Sequence, residues 1–120
     1  MWNVALDQNG GPNVFYGDND RNRGLIMIRS DQMDSVTYDM GFYSLGHFSK
    51  FVDPNAFRIS TNTFYNDMEN VAFLNPDKSI VLCVSSQTST SRTVRVQWRN
   101  KWFEAVVPGF GAATFKFASV

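Results

Sequence analysis

The sequence has little of what most catalytic or metal sites are built from. Its 120 residues include one cysteine, one histidine and two glutamates. The single cysteine, Cys83, cannot form an internal disulfide. Together with the single histidine, His47, it makes a poor ligand set for zinc. A catalytic triad needs more partners than these. The sequence therefore predicts no catalytic residue, no metal and no cofactor, and the Gly10-Gly11-Pro12 turn lacks the Gly-Lys-Ser/Thr of a phosphate loop.

Long apolar runs and net charge are also missing. No apolar stretch approaches the ~20 residues that span a bilayer, so we expect no membrane span. Eleven basic residues balance eleven acidic ones, and a neutral chain has no attraction for nucleic acid or for anionic membranes. Met1 is followed at once by Trp2, so no signal peptide is expected, and the residues indicate no compartment.

Apolar and aromatic residues are plentiful. The hydrophobic fraction is 43%, the charged fraction is 18%, and eleven phenylalanines raise the aromatic fraction to 15%. This composition is typical of a globular chain. The aromatic excess indicates a dense core or a docking face that another element normally covers.

The apolar pattern predicts an all-β fold with one short helix. Asp39 can cap a helix whose apolar residues recur at three- and four-residue steps, and Pro54 stops it. Later segments alternate or run apolar at ~10-residue spacing, and turns at 75–78 and 100–101 predict two hairpins. We therefore expect an antiparallel β-sandwich of about eight strands.

Three segments together resemble glycoside hydrolase family 30, the family that includes glucosylceramidases. They are residues 2–13 (WNVALDQNGGPN), 43–52 (YSLGHFSKFV) and 70–82 (NVAFLNPDKSIVL). The first looks like the eighth strand and following loop of the family's barrel, the second like a helix, and the third like the central hairpin of its sandwich. The resemblance divides the chain into a barrel remnant, residues 1–13, and a β-sandwich domain, residues 14–120.

The resemblance implies a sandwich packed beside a catalytic (β/α)8 barrel. The family hydrolyses β-glycosides with retention, including glucosylceramide and β-1,6-glucans. Retention uses two carboxyl groups about 5–5.5 Å apart, and in the family these glutamates lie upstream of the matched segments. The resemblance also implies that Trp2 and Asn13 bind substrate, the indole against a sugar ring and the amide with hydroxyl groups. Family members are often secreted or lysosomal. Some relatives place cysteines near Asn19 and Asn22, so the subfamily stays open.

The residues themselves supply no substitute for the missing carboxyl pair. We interpret Glu69 and Glu104 as exposed strand residues, since nothing in the sequence brings them together. The chain is accordingly interpreted as an accessory C-terminal β-domain of a retaining β-glycosidase, without activity alone. The alternative is a stand-alone carbohydrate-binding module, for which Trp98 and Trp102 would share one sheet face beside their turn. A truncated product with no chemistry is a third reading.

The expected partners follow from the same resemblance. The catalytic barrel is the first, and a β-glucoside or glucan ligand is the second. The family's sandwich also uses strands from the start of the full chain, so we expect one open sheet edge here. Open edges pair with other chains, which predicts a homodimer through that edge.

Overall fold

The computed structural model describes residues 4–9, 11, 24–29, 31, 35–62 and 67–119. These residues form nine strands and one helix, and the chain divides into two compact units, Met1–Gly46 and His47–Val120. In the described part of the chain, no helix is long and apolar enough to cross a membrane. The predicted boundary after residue 13 lies outside the described residues and stays a prediction.

The first unit contains a small three-stranded sheet. Its strands are β1 (Ala5–Leu6), β2 (Ile26–Ile28) and β3 (Val36–Tyr38). Strand β1 runs parallel to β2, and β2 pairs antiparallel with β3. After β1, Asp7 Oδ1 accepts hydrogen bonds from the backbone N–H groups of Asn9 and Gly11, each at 2.8 Å. This is the turn that the Asp, Asn and Gly residues of the segment predict, and the strands predicted at 25–28 and 36–38 are confirmed.

Helix α1 (Met40–Ser49) follows β3 directly. Asp39 caps it, because its Oδ1 accepts a hydrogen bond from the backbone N–H of Gly41 at 3.2 Å and so satisfies one donor that the first turn leaves unpaired. At the other end the backbone N–H of Val52 donates to the Phe48 carbonyl oxygen at 2.8 Å. The predicted helix is thus confirmed, yet none of its residues is buried.

The second unit contains the other six strands of the described residues. They are β4 (Phe57–Ile59), β5 (Met68–Leu74), β6 (Ser79–Ser86), β7 (Arg92–Trp98), β8 (Lys101–Val107) and β9 (Ala112–Ala118). Strands β4, β5, β6 and β9 form one antiparallel sheet in that order, and β7 and β8 form a separate hairpin. The central strand β6 is buried along most of its length, which explains its continuous apolar run because both of its faces are covered.

The hairpin packs on one face of the four-stranded sheet. The Phe103 ring of β8 lies 5.5 Å from the Phe115 ring and 5.4 Å from the Phe117 ring of β9, centroid to centroid. Strand β7 alternates between half-buried and exposed residues, since only one of its faces is covered. Buried residues form the core between the two layers: Met68, Ala72, Leu82, Val84 and Val107. The all-β sandwich is therefore confirmed. About eight strands were expected for it; of the nine strands in the described residues, six form its two layers and three form the separate sheet of the first unit.

Candidate functional site

The two residues predicted to contact sugar lie outside the described residues. Trp2 precedes the described segment 4–9, and Asn13 follows the described Gly11. Their contacts with sugar stay a prediction.

The two glutamates lie on opposite outer surfaces of the sandwich. Glu69 is exposed on β5 and accepts a hydrogen bond from Gln87 Nε2 at 3.2 Å. Glu104 is exposed on the outer face of β8, where its Oε1 lies 2.7 Å from Nη2 and 3.1 Å from Nε of Arg95. A retaining pair needs two carboxyl groups about 5–5.5 Å apart around one sugar site. The strand positions and separate partners of Glu69 and Glu104 explain both residues as structural.

The histidine and the cysteine meet at the end of α1 in a hydrogen-bonded cluster. His47 Nδ1 lies 2.8 Å from Thr114 Oγ1, and the Cys83 thiol donates to the His47 carbonyl oxygen at 3.4 Å. Burial raises the pKa of the Cys83 thiol, so the thiol stays protonated and unreactive at neutral pH. Within the described residues no group of three or more His, Cys, Asp or Glu side chains could hold a metal ion.

Sequence reasoning missed the role of Asn75, the most buried polar residue among those described. Only 1% of it is exposed. Its Nδ2 donates to the Phe51 carbonyl oxygen at 3.0 Å and to Ser79 Oγ at 3.1 Å, and its Oδ1 accepts from the Asp53 backbone N–H at 3.1 Å. The side chain thus ties the turn between β5 and β6 to the segment after α1. The Asn75-Pro76-Asp77 pattern predicted the turn but not this connection to the segment after α1.

The four-stranded sheet is wider than the hairpin that covers it. The difference leaves a groove of about 680 Å³ along β7. In the described residues β7 pairs with β8 only, so its other edge opens toward this groove. Its floor is apolar and comes from both layers: Ile59, Met68, Ala72, Leu82, Val94 and Val96. Polar residues, among them Arg95, Gln97 and Glu104, also line it. A groove with an apolar floor beside an unpaired strand edge has the form that accepts an added strand.

The two hairpin tryptophans face opposite ways, so the expectation that they share one sheet face is wrong. Trp98 lies opposite Lys101, and Trp102 lies opposite Gln97. Since neighbouring residues on a strand alternate between faces, this register separates the two rings. Trp98 faces inward, and its Nε1 donates to the Ser119 carbonyl oxygen at 3.1 Å. Trp102 faces outward and is 62% exposed.

Arg95 and Glu104 accompany Trp102 on the outer face of the hairpin. The guanidinium carbon of Arg95 lies 4.7 Å from the centre of the Trp102 ring. The same guanidinium pairs with Glu104, at 2.7 Å. The face therefore presents an exposed indole beside an ion pair of zero net charge.

Comparison with known proteins gives a consistent result. The sequence model of the glycosyl hydrolase family 30 beta sandwich domain matches residues 55–115. Lysosomal acid glucosylceramidase of Mus musculus is 33% identical over 116 residues, a match that covers 95% of this chain and 22% of the mouse protein.

Two solved structures share the fold over nearly the whole chain. The endo-β-1,6-glucanase BT3312 superposes with a TM-score of 0.88 and 26% sequence identity, over 98% of this chain and 26% of that one. SrfJ from Salmonella typhimurium superposes with a TM-score of 0.87 and 28% identity, over 96% of this chain and 25% of that one.

The chain thus spans about a quarter or less of the length of these relatives. In them the domain belongs to the same polypeptide as a catalytic domain. The family match includes strands β4 to β8 and part of β9. The predicted resemblance is confirmed: the chain belongs to glycosyl hydrolase family 30 and carries the β-sandwich domain of that family.

Proposed function

We propose that this chain acts as the accessory β-domain of a retaining β-glycosidase, supports a catalytic (β/α)8 barrel and has no activity alone. The observation that carries the proposal is the exposure of α1. Ten residues form this helix and none is buried. Isolated helices this short are marginal in water, because most helical stability in proteins comes from packing of an apolar face.

The exposed side chains of α1 form an apolar surface. Five large apolar residues of the helix are exposed: Met40, Phe42, Tyr43, Leu45 and Phe48. The Phe42 ring lies 5.5 Å from the Tyr43 ring and 4.5 Å from the ring of the exposed Tyr38, centroid to centroid. Contiguous exposed apolar patches mark interaction sites. A barrel packed against the adjoining rings of Tyr38, Phe42 and Tyr43 would bury this patch.

The groove along β7 gives independent support. Its apolar lining and the open edge of β7 fit an extended segment contributed by another part of a longer polypeptide. The relatives are four to five times longer than the match, so such a segment would come from the same chain as the barrel. A second copy of this chain is the alternative occupant, and it would give a homodimer.

For the whole enzyme we propose β-glucosides as substrates. Relatives carry the names lysosomal acid glucosylceramidase and endo-β-1,6-glucanase, which makes glucosylceramide and β-1,6-glucans the candidates. Trp2 and Asn13 would then contribute to the sugar subsite. An indole face suits the apolar C–H face of a pyranose, and an amide offers both donors and an acceptor to hydroxyl groups.

A chimera tests this function. The matched segment of the mouse enzyme is replaced by this chain, and hydrolysis of a fluorogenic β-glucoside is measured for the chimera and for the chain alone. We expect turnover by the chimera only. Phe42→Asp or Tyr43→Asp should lower the activity of the chimera about tenfold or more, since a charge placed in a buried apolar interface is costly. Trp2→Ala should lower kcat/KM.

The matched control is Phe110→Ala, which removes an exposed aromatic from the turn between β8 and β9, remote from α1 in sequence, and should leave hydrolysis of the small substrate unchanged. The thermal melts of the 120-residue variants at Phe42, Tyr43 and Phe110 should match the unsubstituted chain, because these three side chains are exposed. Turnover by the chain alone, or a Phe42→Asp chimera with full activity, would refute the accessory role.

A stand-alone carbohydrate-binding module is the second candidate function. The paired-tryptophan platform expected for it is absent, because Trp98 and Trp102 lie on opposite faces. The exposure of Trp102 is the one observation that still favours sugar binding.

A further inference from the structure

We propose that the outer face of the β7–β8 hairpin is a sugar-binding surface centred on Trp102, which takes pyranose oligosaccharides with equatorial hydroxyl groups. We define the Trp102 face as Trp102, Arg95, Glu104 and Gln97. Paired register positions place all four on one side of the hairpin, since Arg95 lies opposite Glu104 and Gln97 lies opposite Trp102. This goes beyond support of a barrel, because it gives the domain a ligand of its own.

The indole of Trp102 is held in place with one side open. The Arg95 guanidinium lies against one face of the ring at 4.7 Å from its centre. The residue is nevertheless 62% exposed, so the opposite ring face is in contact with solvent. An aromatic ring fixed by a neighbour loses little conformational freedom when a ligand packs on it. The open face is therefore a preorganised platform for an apolar surface of similar size.

Hydrogen-bonding groups surround this platform. Glu104 Oε1 holds the guanidinium of Arg95 through Nη2 at 2.7 Å and Nε at 3.1 Å. Gln97 Nε2 donates to the Arg99 carbonyl oxygen at 3.2 Å, which fixes the side-chain amide beside the ring. A carboxylate supplies several acceptor sites, a guanidinium supplies five donors, and an amide supplies both. Together they present donors and acceptors around an apolar centre.

A pyranose with equatorial hydroxyl groups has the complementary form. Its ring C–H bonds make an apolar face, and its hydroxyl groups radiate from the rim as both donors and acceptors. The ligand is uncharged, and the ion pair between Arg95 and Glu104 leaves the face without net charge. Nucleic acids and anionic lipids need an excess of positive charge. A protein partner would need a larger apolar patch than one tryptophan with the nearby Val106.

Three residues of the Trp102 face, Arg95, Gln97 and Glu104, also line the groove along β7, whereas Trp102 itself does not. An added strand would pair along the edge of β7, in the plane of the hairpin, because strands hydrogen-bond edge to edge. The side chains of the outer face project out of that plane. Because Trp102 lies outside the groove lining, its substitution separates the two proposals, and either one can fail without the other.

The test is a titration of the 120-residue chain with cellotetraose, followed by the indole N–H signals of its three tryptophans in ¹H–¹⁵N NMR spectra. We expect the Trp102 signal, assigned from the Trp102→Ala spectrum, to shift with a Kd of roughly 1 mM or below. Trp102→Ala should weaken binding about tenfold, which corresponds to ~1.4 kcal/mol, as judged from backbone shifts around β7 and β8. Glu104→Gln, which loses the charge and keeps the shape, should also weaken binding.

Phe57→Ala is the matched control, since it removes another exposed aromatic from a different sheet, and it should bind as the unsubstituted chain does. Sorbitol has hydroxyl groups without a pyranose face and should cause no shift. The proposal is overturned by three results: no shift with cellotetraose up to about 10 mM, a Trp102→Ala variant that binds unchanged, or shifts centred on the Trp2 indole.

Discussion

Asn75 shows how one side chain can decide the fit between two segments of the domain. It is almost fully buried and makes three side-chain hydrogen bonds, two of them to the segment at Phe51 and Asp53 after α1. A buried polar group without partners costs about 1–3 kcal/mol. Loss of the Asn75 side chain would leave the Asp53 N–H and the Phe51 carbonyl unpaired, so the substitution would also destabilise the segment after α1.

Substitution of this residue gives the first prediction. Asn75→Ala should lower the free energy of unfolding by about 3 kcal/mol, because two partly buried backbone groups lose their partner and a small cavity opens. Urea unfolding followed by circular dichroism measures the change. Asn100→Ala, at the exposed turn between β7 and β8, is the control and should stay within about 0.5 kcal/mol. Equal stabilities for the two variants would contradict this role of Asn75.

The connection between β8 and β9 is an element held by backbone contacts. A Cβ atom on Gly109 would lie 2.2 Å from the Ser89 carbonyl oxygen and 2.9 Å from the Thr90 backbone nitrogen. The backbone N–H of Phe110 donates to the Thr88 carbonyl oxygen at 2.6 Å, and Phe110 adopts φ of 47°. The close approach of two backbone segments therefore requires glycine at position 109.

Two glycine substitutions in different elements should have opposite effects. Gly109→Ala should destabilise by about 3 kcal/mol, because the clashing atoms are backbone and cannot rotate away. Gly46→Ala places a Cβ where nothing lies within 4 Å, and in the middle of α1 it should stabilise the chain by about 1 kcal/mol. Differential scanning calorimetry measures both. A Gly109→Ala variant as stable as Gly46→Ala would disprove the packing argument at the turn.

At the scale of the whole molecule, the sandwich has unequal layers. Among the residues that the structure describes, four strands form one layer of the second unit and two strands form the other. The groove of about 680 Å³ lies where the narrower layer ends. An apolar groove beside an unpaired edge favours association with other strands, which is how an isolated sandwich of this form would bury it.

This unequal layering predicts association of the isolated chain. Sedimentation equilibrium should show an average mass that rises above 13.6 kDa as the concentration increases toward about 1 mM, since dimer formation follows mass action. Hydrogen exchange of the β7 backbone amides should slow over the same range, while exchange in the covered strand β6 serves as the reference. A chain that remains monomeric throughout, with unchanged β7 exchange, would show that the edge does not pair.

Much of the fold could be predicted because its signals are local. Asp39 at the start of α1 and Asn75 to Lys78 at the hairpin turn act through hydrogen bonds over a few residues, and both elements are where the sequence placed them. Alternation along residues 93–99 likewise depends on the strand alone. The segments 43–52 and 70–82 indicated the family by their resemblance to it, and the family match over residues 55–115 confirms that assignment.

The sequence by itself determined the elements, the fold class and the family, whereas the tertiary structure decided which side chains meet. Trp98 and Trp102 stand on opposite faces because the pairing of Trp98 with Lys101 sets the register of the hairpin. Asn75 is buried because the segment after α1 folds back onto the hairpin turn. Register and long-range packing depend on the mutual fit of distant surfaces, and no local pattern of residues encodes that fit.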